Sequence, residues 1–307
     1  MKIVFAGTPE FAVPSLVALH AAGHEIFVLT QPDRPQGRKG VLMPSPVKAE
    51  AEKLGLNVVQ PARLKEDYSA LKAFGAELMV TCAYGQILTQ EVLDLFPKGV
   101  WNVHASLLPA YRGAAPIARA VIGGERETGI TVMKTELGLD TGDMLLQRPL
   151  AIENNDTAGT LTQKLARLGA EMICEGLELL ERGDYKLTKQ GEGFVCRKVA
   201  RTQADFSRPA AEVSSLIRGL SPAPLCYGVI GGMTLNFYMA EAVDTESVEQ
   251  FGTVIEASPK RGFVVKCGEG AVRISSVQPA GGKVMSDRDF CNGRKICGGM
   301  KFEQPVL

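Results

Sequence analysis

The segment Lys2-Ile-Val-Phe-Ala6-Gly7-Thr8-Pro9, running on through Glu10-Phe-Ala-Val-Pro-Ser-Leu-Val-Ala-Leu-His20 to Glu25-Ile-Phe-Val-Leu-Thr30, decides the fold. Lys2 to Ala6 is a short apolar run that predicts a strand. Pro9 to His20 has helical spacing with a proline in its first turn, and Glu25 to Thr30 is a second strand. The same rhythm extends outward. Ser45 to Lys53, Lys65 to Phe74, Thr89 to Leu95 and Ala115 to Ile122 predict helices; Asn57 to Gln60, Glu77 to Thr81, Val100 to Val103, Gly129 to Thr135 and Asp143 to Leu150 predict strands. Such alternation builds a mostly parallel sheet covered on both faces. A long helix from about Thr157 to Glu181 closes this first domain, residues 1–182, with Leu161, Leu165, Leu168, Met172, Leu177 and Leu180 as its core stripe. A polar, glycine-punctuated linker is expected over 183–208. Cys226 to Ile230, Thr234 to Val243, Thr253 to Ala257, Gly262 to Lys266 and Val272 to Val277 then predict a small antiparallel barrel within 209–307.

The chain has 307 residues, 45% hydrophobic and 22% charged, which excludes disordered and collagen-like classes. Lys plus Arg and Asp plus Glu are equal at 34 each, so net charge selects no partner. Seven cysteines without a CxxC pair predict reduced thiols, no zinc site and a cytoplasmic protein. No signal peptide or membrane span is expected, since no apolar run approaches the roughly 20 residues that a span needs.

The turn Ala6-Gly7-Thr8-Pro9 lacks GxGxxG, which disfavours a nicotinamide-dependent dehydrogenase. The chemistry points instead to Asn102-Val103-His104 at the end of a buried strand. Residues two apart share a face, so an amide donor and a titratable imidazole can project together from the sheet's carboxyl edge, suited to an oxyanion and a proton. Gly138-Leu139-Asp140-Thr141-Gly142-Asp143 offers carboxylates on a turn, and Asp140 paired with His104 would raise the imidazole's pKa and fix its orientation. Turn capping is the plainer role for both aspartates.

Asn102-Val-His104-Ala-Ser106-Leu-Leu-Pro109-Ala-Tyr-Arg112-Gly113-Ala-Ala-Pro116, with Gly129-Ile-Thr-Val132 and Leu139-Asp-Thr-Gly-Asp143, resembles the signature of the folate-dependent formyltransferases. Phe5 to Pro9, Thr30 to Pro35, Leu42 to Lys48 and Val277 to Ala280 extend the resemblance along essentially the whole chain. It implies a Rossmann-like N-terminal domain and an OB-like C-terminal barrel. It also implies transfer of a formyl group from 10-formyltetrahydrofolate to the α-amino group of methionine charged on initiator tRNA, without metal. By resemblance Asn102 and protonated His104 hold the oxyanion and Asp140 orients or charges the imidazole. The folate would lie against Tyr84, Gly85, Gln86, Ile87 and Leu88 and against Ser106, Leu107, Leu108 and Pro109.

The insertion Gln31 to Pro44 is too long and Pro/Gly-rich for an ordinary connection; a solvated basic loop is the plainer reading, and the resemblance implies that it enters the acceptor stem, with Arg38 and Lys39 on RNA and Arg34 supporting the loop. An excess of Lys and Arg beyond Glu256 would give the barrel a positive face for RNA. A monomer is expected. The alternatives are a formyltransferase acting on a small amine, which would not need the insertion, and a catalytically inactive RNA-binding relative, which intact Asn102, His104 and Asp140 disfavour.

Overall fold

The computed structural model describes residues 1–36, 40–293 and 296–305. The chain forms two compact units, one of residues 1–113, 128–150 and 162–195, the other of residues 114–127, 151–161 and 196–307.

In the first unit the elements are β1 (Lys2–Gly7), α1 (Val13–Ala21), β2 (Glu25–Leu29), a ribbon of β3 (Arg34–Gln36) and β4 (Val41–Met43), α2 (Pro46–Lys53), β5 (Asn57–Val59), α3 (Ser69–Phe74), β6 (Leu78–Cys82), α4 (Gln90–Leu93), β7 (Val100–His104) and the two-residue β8 (Arg112–Gly113). After α5 (Pro116–Ile122), which belongs to the second unit, come β9 (Glu127–Lys134), β10 (Met144–Ala151) and most of α6 (Ala158–Arg182). The seven-stranded sheet has the order β10-β9-β7-β6-β1-β2-β5. From β5 to β7 neighbouring strands run parallel, and β9 lies antiparallel to β7. The chain leaves β1 first toward β2 and β5, then crosses to β6 and β7. The switch therefore falls between β1 and β6, where open sheets of this kind hold ligands beyond the strands' carboxyl ends.

β6 is buried at every position, as a central parallel strand covered on both faces must be. Gly7 ends β1 because a Cβ there would stand 2.8 Å from Ala12 Cβ and 3.1 Å from the Cys82 carbonyl, so packing and not a phosphate demands that glycine. In α6 the buried stripe is Leu161, Leu165, Met172, Ile173 and Leu177, while Leu168 and Leu180 are only half-buried. Gly169 lets α6 approach β7: a Cβ there would meet Val103 Cγ1 at 2.8 Å. Helix α3 is shorter than the spacing suggests because Asp67 Oδ1 accepts from both Ser69 N and Ser69 Oγ, setting the start at Ser69. Helix α4 is a single turn.

The second unit contains α5, β11 (Val195–Cys196, at its boundary), β12 (Thr202–Gln203), α7 (Ala210–Gly219), β13 (Cys226–Ile230), β14 (Met233–Val243), β15 (Val254–Ser258), β16 (Gly262–Lys266), β17 (Ala271–Pro279), β18 (Met285–Ser286) and α8 (Asp287–Gly293). Its sheet runs β12-β13-β14-β17-β16-β15 with β18 on β17, antiparallel except for β12 on β13. No continuous ladder among the described residues closes it into a barrel. Instead the segment 299–303 bonds to β13, next to one edge, and to the edge strand β15: Glu303 N donates to Val229 O at 2.8 Å, and Val254 N donates to Met300 O at 2.8 Å. Phe302, delivered by this segment, packs against Phe206, Phe237 and Phe263 at centroid distances of 4.9, 5.9 and 6.0 Å. Helix α7, absent from the sequence reading, buries Ala210, Val213 and Ile217, which fall at i, i+3 and i+7.

No helix among the described residues is long and apolar enough to cross a membrane. Because Phe302 is 2% exposed, Phe302→Ala is expected to cost about 3–5 kcal/mol through lost transfer energy and the cavity left behind. Urea denaturation of the full chain measures it.

Candidate active site

Strand β7 carries two of the candidate residues, and its neighbours fix its carboxyl end. Thr81 of β6 is in register with Asn102, and Thr131 of β9 with His104. Thr81 Oγ1 donates to Asn102 Oδ1 at 3.0 Å. In this orientation the amide oxygen is engaged and Nδ2 is the end left to donate.

His104 is 5% exposed. Its Nε2 lies 3.0 Å from the Tyr111 carbonyl, which can only accept, so Nε2 carries the hydrogen. Nδ1 faces Asp140 Oδ2 at 3.7 Å, beyond direct hydrogen bonding. Burial holds the imidazole below its ordinary range, against the Asp140 carboxylate and the Tyr111 carbonyl, which both pull upward. The Asp140 carboxylate pulls in the direction expected from the sequence, and burial opposes it as the larger cause, which favours the neutral ring.

Asp140 comes from the turn between β9 and β10. Its Oδ2 accepts from Gly113 N at 2.8 Å. Asp140, Tyr111 and Ala83 all adopt left-handed backbone conformations, with φ of 51°, 58° and 50°. For non-glycine residues this costs about 1–3 kcal/mol each and persists only where surroundings over-determine it. Ala83 follows β6 and Tyr111 follows β7, so these two strained positions share the strands' carboxyl edge, while Asp140 comes from the turn after the antiparallel β9.

The two loops assigned to folate follow the adjacent strands β6 and β7. Thr8 Oγ1 and Gln31 Nε2 both donate to the Tyr84 carbonyl, at 2.9 and 3.2 Å. The Tyr84 ring is buried in the core, and burial pushes its phenol upward. Gln86 spans from Leu64 N to the Pro61 carbonyl and so braces its loop. Gly85 sits at φ 87°, and Leu88 is buried. Ser106 Oγ donates to the Ala110 carbonyl at 2.6 Å, and Leu108 is held between Thr131 Oγ1 and Gln147 Nε2. The side chains open to solvent are Ile87, 86% exposed, and the half-buried Leu107 and Pro109.

Arg34 is exposed on β3, and Arg38 and Lys39 lie outside the described residues. The base of their loop is held by residues the sequence reading did not single out: Asp33 accepts from Lys48 Nζ at 2.8 Å and Gln60 Nε2 at 2.7 Å, and Gln60 also donates to Gln31 O. The bonds from Gln60 and then Lys48 hold the Asp33 carboxyl below its usual range. Thr81, the Gly113 amide, the Tyr111 carbonyl and Gln190 are likewise contributors that no spacing announced. Among the described residues no group of three or more His, Cys, Asp or Glu is placed to hold a metal ion. A cavity of about 790 Å³ opens at the amino end of β7 beside Val100 and Trp101, the opposite end of the strand from His104.

Residues 1–177 match the formyl transferase model and residues 198–295 the formyl transferase C-terminal domain model. The chain belongs to the formyltransferase family. It is 46% identical to the methionyl-tRNA formyltransferase of Herminiimonas arsenicoxydans, over 95% of this chain and 97% of that one. It is 45% identical to the methionyl-tRNA formyltransferase of Caldanaerobacter subterraneus subsp. tengcongensis, over 96% and 98%. In fold it is similar to the N-formyltransferase from Helicobacter canadensis in complex with folinic acid and dTDP-3-aminofucose, with TM-score 0.67, 20% identity and coverage of 89% and 98%. It is also similar in fold to HypX from Aquifex aeolicus in complex with tetrahydrofolic acid, with TM-score 0.66, 18% identity and coverage of 94% and 46%.

The lowered imidazole pKa predicts a pH signature. Below the ordinary value of 6.5 the unfolded chain binds a proton at His104 before the folded one does, so stability falls as pH drops through the window between 6.5 and the folded midpoint. In denaturation curves across that window, His104→Gln is expected to lose this part of the pH dependence.

Proposed function

We propose that the chain transfers the formyl group of 10-formyltetrahydrofolate to the α-amino group of methionine carried by initiator tRNA. The observation that carries the reading is the buried His104, with Nδ1 toward Asp140, two residues from an amide whose oxygen faces Thr81. The match to methionyl-tRNA formyltransferases over nearly the full length of both chains supports the substrate pair.

Asn102 Nδ2 is the donor for the oxyanion that forms when the unprotonated amine attacks the formyl carbon. His104 Nδ1 takes the proton released by the attacking nitrogen. The resulting imidazolium is stabilised on both sides, by the Tyr111 carbonyl at Nε2 and by Asp140 at Nδ1. The same proton then passes to the folate N10 as its bond to the formyl carbon breaks, which returns His104 to the neutral form. Asp140 acts through charge and orientation. Ile87, Leu107 and Pro109 fit an apolar wall for the pterin beside the switch point, and the backbone of residues 84–88 and 106–109 would pair with its polar edge.

We assign catalysis to residues 1–182, joined through 183–208 to a tRNA-gripping domain of residues 209–307. The bridging of β13 and β15 by segment 299–303 supports reading that domain as an OB-like barrel. Its positive surface is narrower than composition suggests: Arg261 pairs with Glu256, and Arg273 with Glu241 and Asp287. Lys266 Nζ donates to the Cys267 and Gly270 carbonyls. Lys260, Lys283 and Arg288 are left as the better candidates for phosphate, while Arg294 and Lys295 lie outside the described residues. Arg38 and Lys39 would enter the acceptor stem, with Arg34 beside them on β3. Seven free cysteines support a reducing, cytoplasmic setting.

Asn102→Ala is expected to lower kcat on charged initiator tRNA by about 10²–10³-fold, the usual effect of losing one oxyanion donor, with tRNA affinity nearly unchanged. Unchanged turnover would remove the mechanism. Formylation of a free small amine but not of charged tRNA would replace the substrate assignment. Arg38→Glu should depress transfer to tRNA and spare folate binding, read by separate assays of each.

A further inference from the structure

Gln190 lies between the two matched family segments, which end at residue 177 and resume at 198. Its amide is nonetheless saturated at the proposed site. Oε1 accepts from Arg112 Nε at 3.0 Å and Arg112 Nη2 at 2.8 Å. Nε2 donates to the Asp140 carbonyl at 3.0 Å and the Gly142 carbonyl at 2.7 Å. A guanidinium only donates and carbonyls only accept, so the network permits one orientation of the amide and satisfies all four of its hydrogen-bonding positions. No shorter amide and no carboxylate can do both, because a carboxylate would set an acceptor against two carbonyl oxygens.

We infer that Gln190 is the positioning residue that holds the strained Asp140 turn so that its carboxylate faces His104. The inference rests on the proposed pairing of Asp140 with His104. The amide grips the backbone on both sides of Thr141, fixing the left-handed Asp140, while the Gly113 N–H fixes the carboxylate at 2.8 Å. Arg112 directly precedes Gly113, so the guanidinium ties the β7 loop to the same amide. Asp140 is the charged group that faces the ring. Thr131 across β9 and the Tyr111 carbonyl from the β7 loop are neutral.

The test uses Gln190→Met in the full chain, which keeps length, adds no charge and removes all four hydrogen bonds. Asp140→Asn and the double variant serve as references. Two readouts are taken: the NMR titration of His104, one of only three histidines, and kcat and KM with charged initiator tRNA. Release of Asp140 withdraws the pull that opposes burial, so the His104 midpoint moves to lower pH, the direction expected for Asp140→Asn. A displacement of this kind is expected to lower kcat about tenfold with little change in KM. The double variant should be no slower than Asp140→Asn alone.

An unmoved titration in Gln190→Met, or losses that multiply in the double variant, overturns the inference while leaving the Asp140 assignment standing. If Asp140→Asn itself moves neither readout, the pairing beneath the inference is wrong and the inference falls with it. Gln190→Ala is read in the same way. Failure of both Gln190 variants to fold would make the residue a scaffold strut and overturn its positioning role.

Discussion

A histidine ring removed from water resists protonation unless a counter-charge and an acceptor stand ready at its two nitrogens. The first unit supplies both to His104. Desolvation favours the neutral ring, with the Nδ1 lone pair free, while the Tyr111 carbonyl and the Asp140 carboxylate pull toward the protonated form. The strength of the site comes from this opposition. An exposed ring would need no counter-charge and would be oriented by none, whereas a buried ring without Asp140 could not become cationic during the reaction. Strand β7 makes the burial possible, held between β6 and β9 with α6 brought close over Val103 at Gly169.

The supporting parts are mostly backbone, braced by neutral side chains. The amide of Gly113 and the carbonyl of Tyr111 touch the acid and the base, and both belong to the loop that leaves β7. Thr131 Oγ1 donates to the Ser106 carbonyl, accepts from Leu108 N, and is joined by Gln147 Nε2, so one hydroxyl of β9 steadies the start of that loop. Hydroxyls and amides suit this work because they add directional bonds without adding a charge that would disturb the titrating pair.

The alternating first half and the individual strands of the second were legible because buried parallel strands read as apolar runs and their helices as periodic ones. Asn102, His104 and Asp140 were singled out as candidates by residue type at a strand end and on a turn, and their roles came from the resemblance to the formyltransferases rather than from spacing. The structure brings His104 and Asp140 within 3.7 Å, and it adds a desolvation that sequence could not show because burial depth is a property of three dimensions. Helix α7 was present in the text as Ala210, Val213 and Ile217 and was passed over between prolines. Thr81 could have been found only through strand register, and Gln190 not at all, since nothing local links it to a turn 48 to 50 positions earlier.

Phe302 has a consequence for biosynthesis. Phe206, Phe237 and Phe263 precede by 96, 65 and 39 residues the ring that fills the space among them. A nascent chain emerging from the ribosome therefore carries an unsealed aromatic nest for as long as the intervening residues take to be synthesised. During that interval the second unit is the part of the molecule most exposed to aggregation and to chaperone capture.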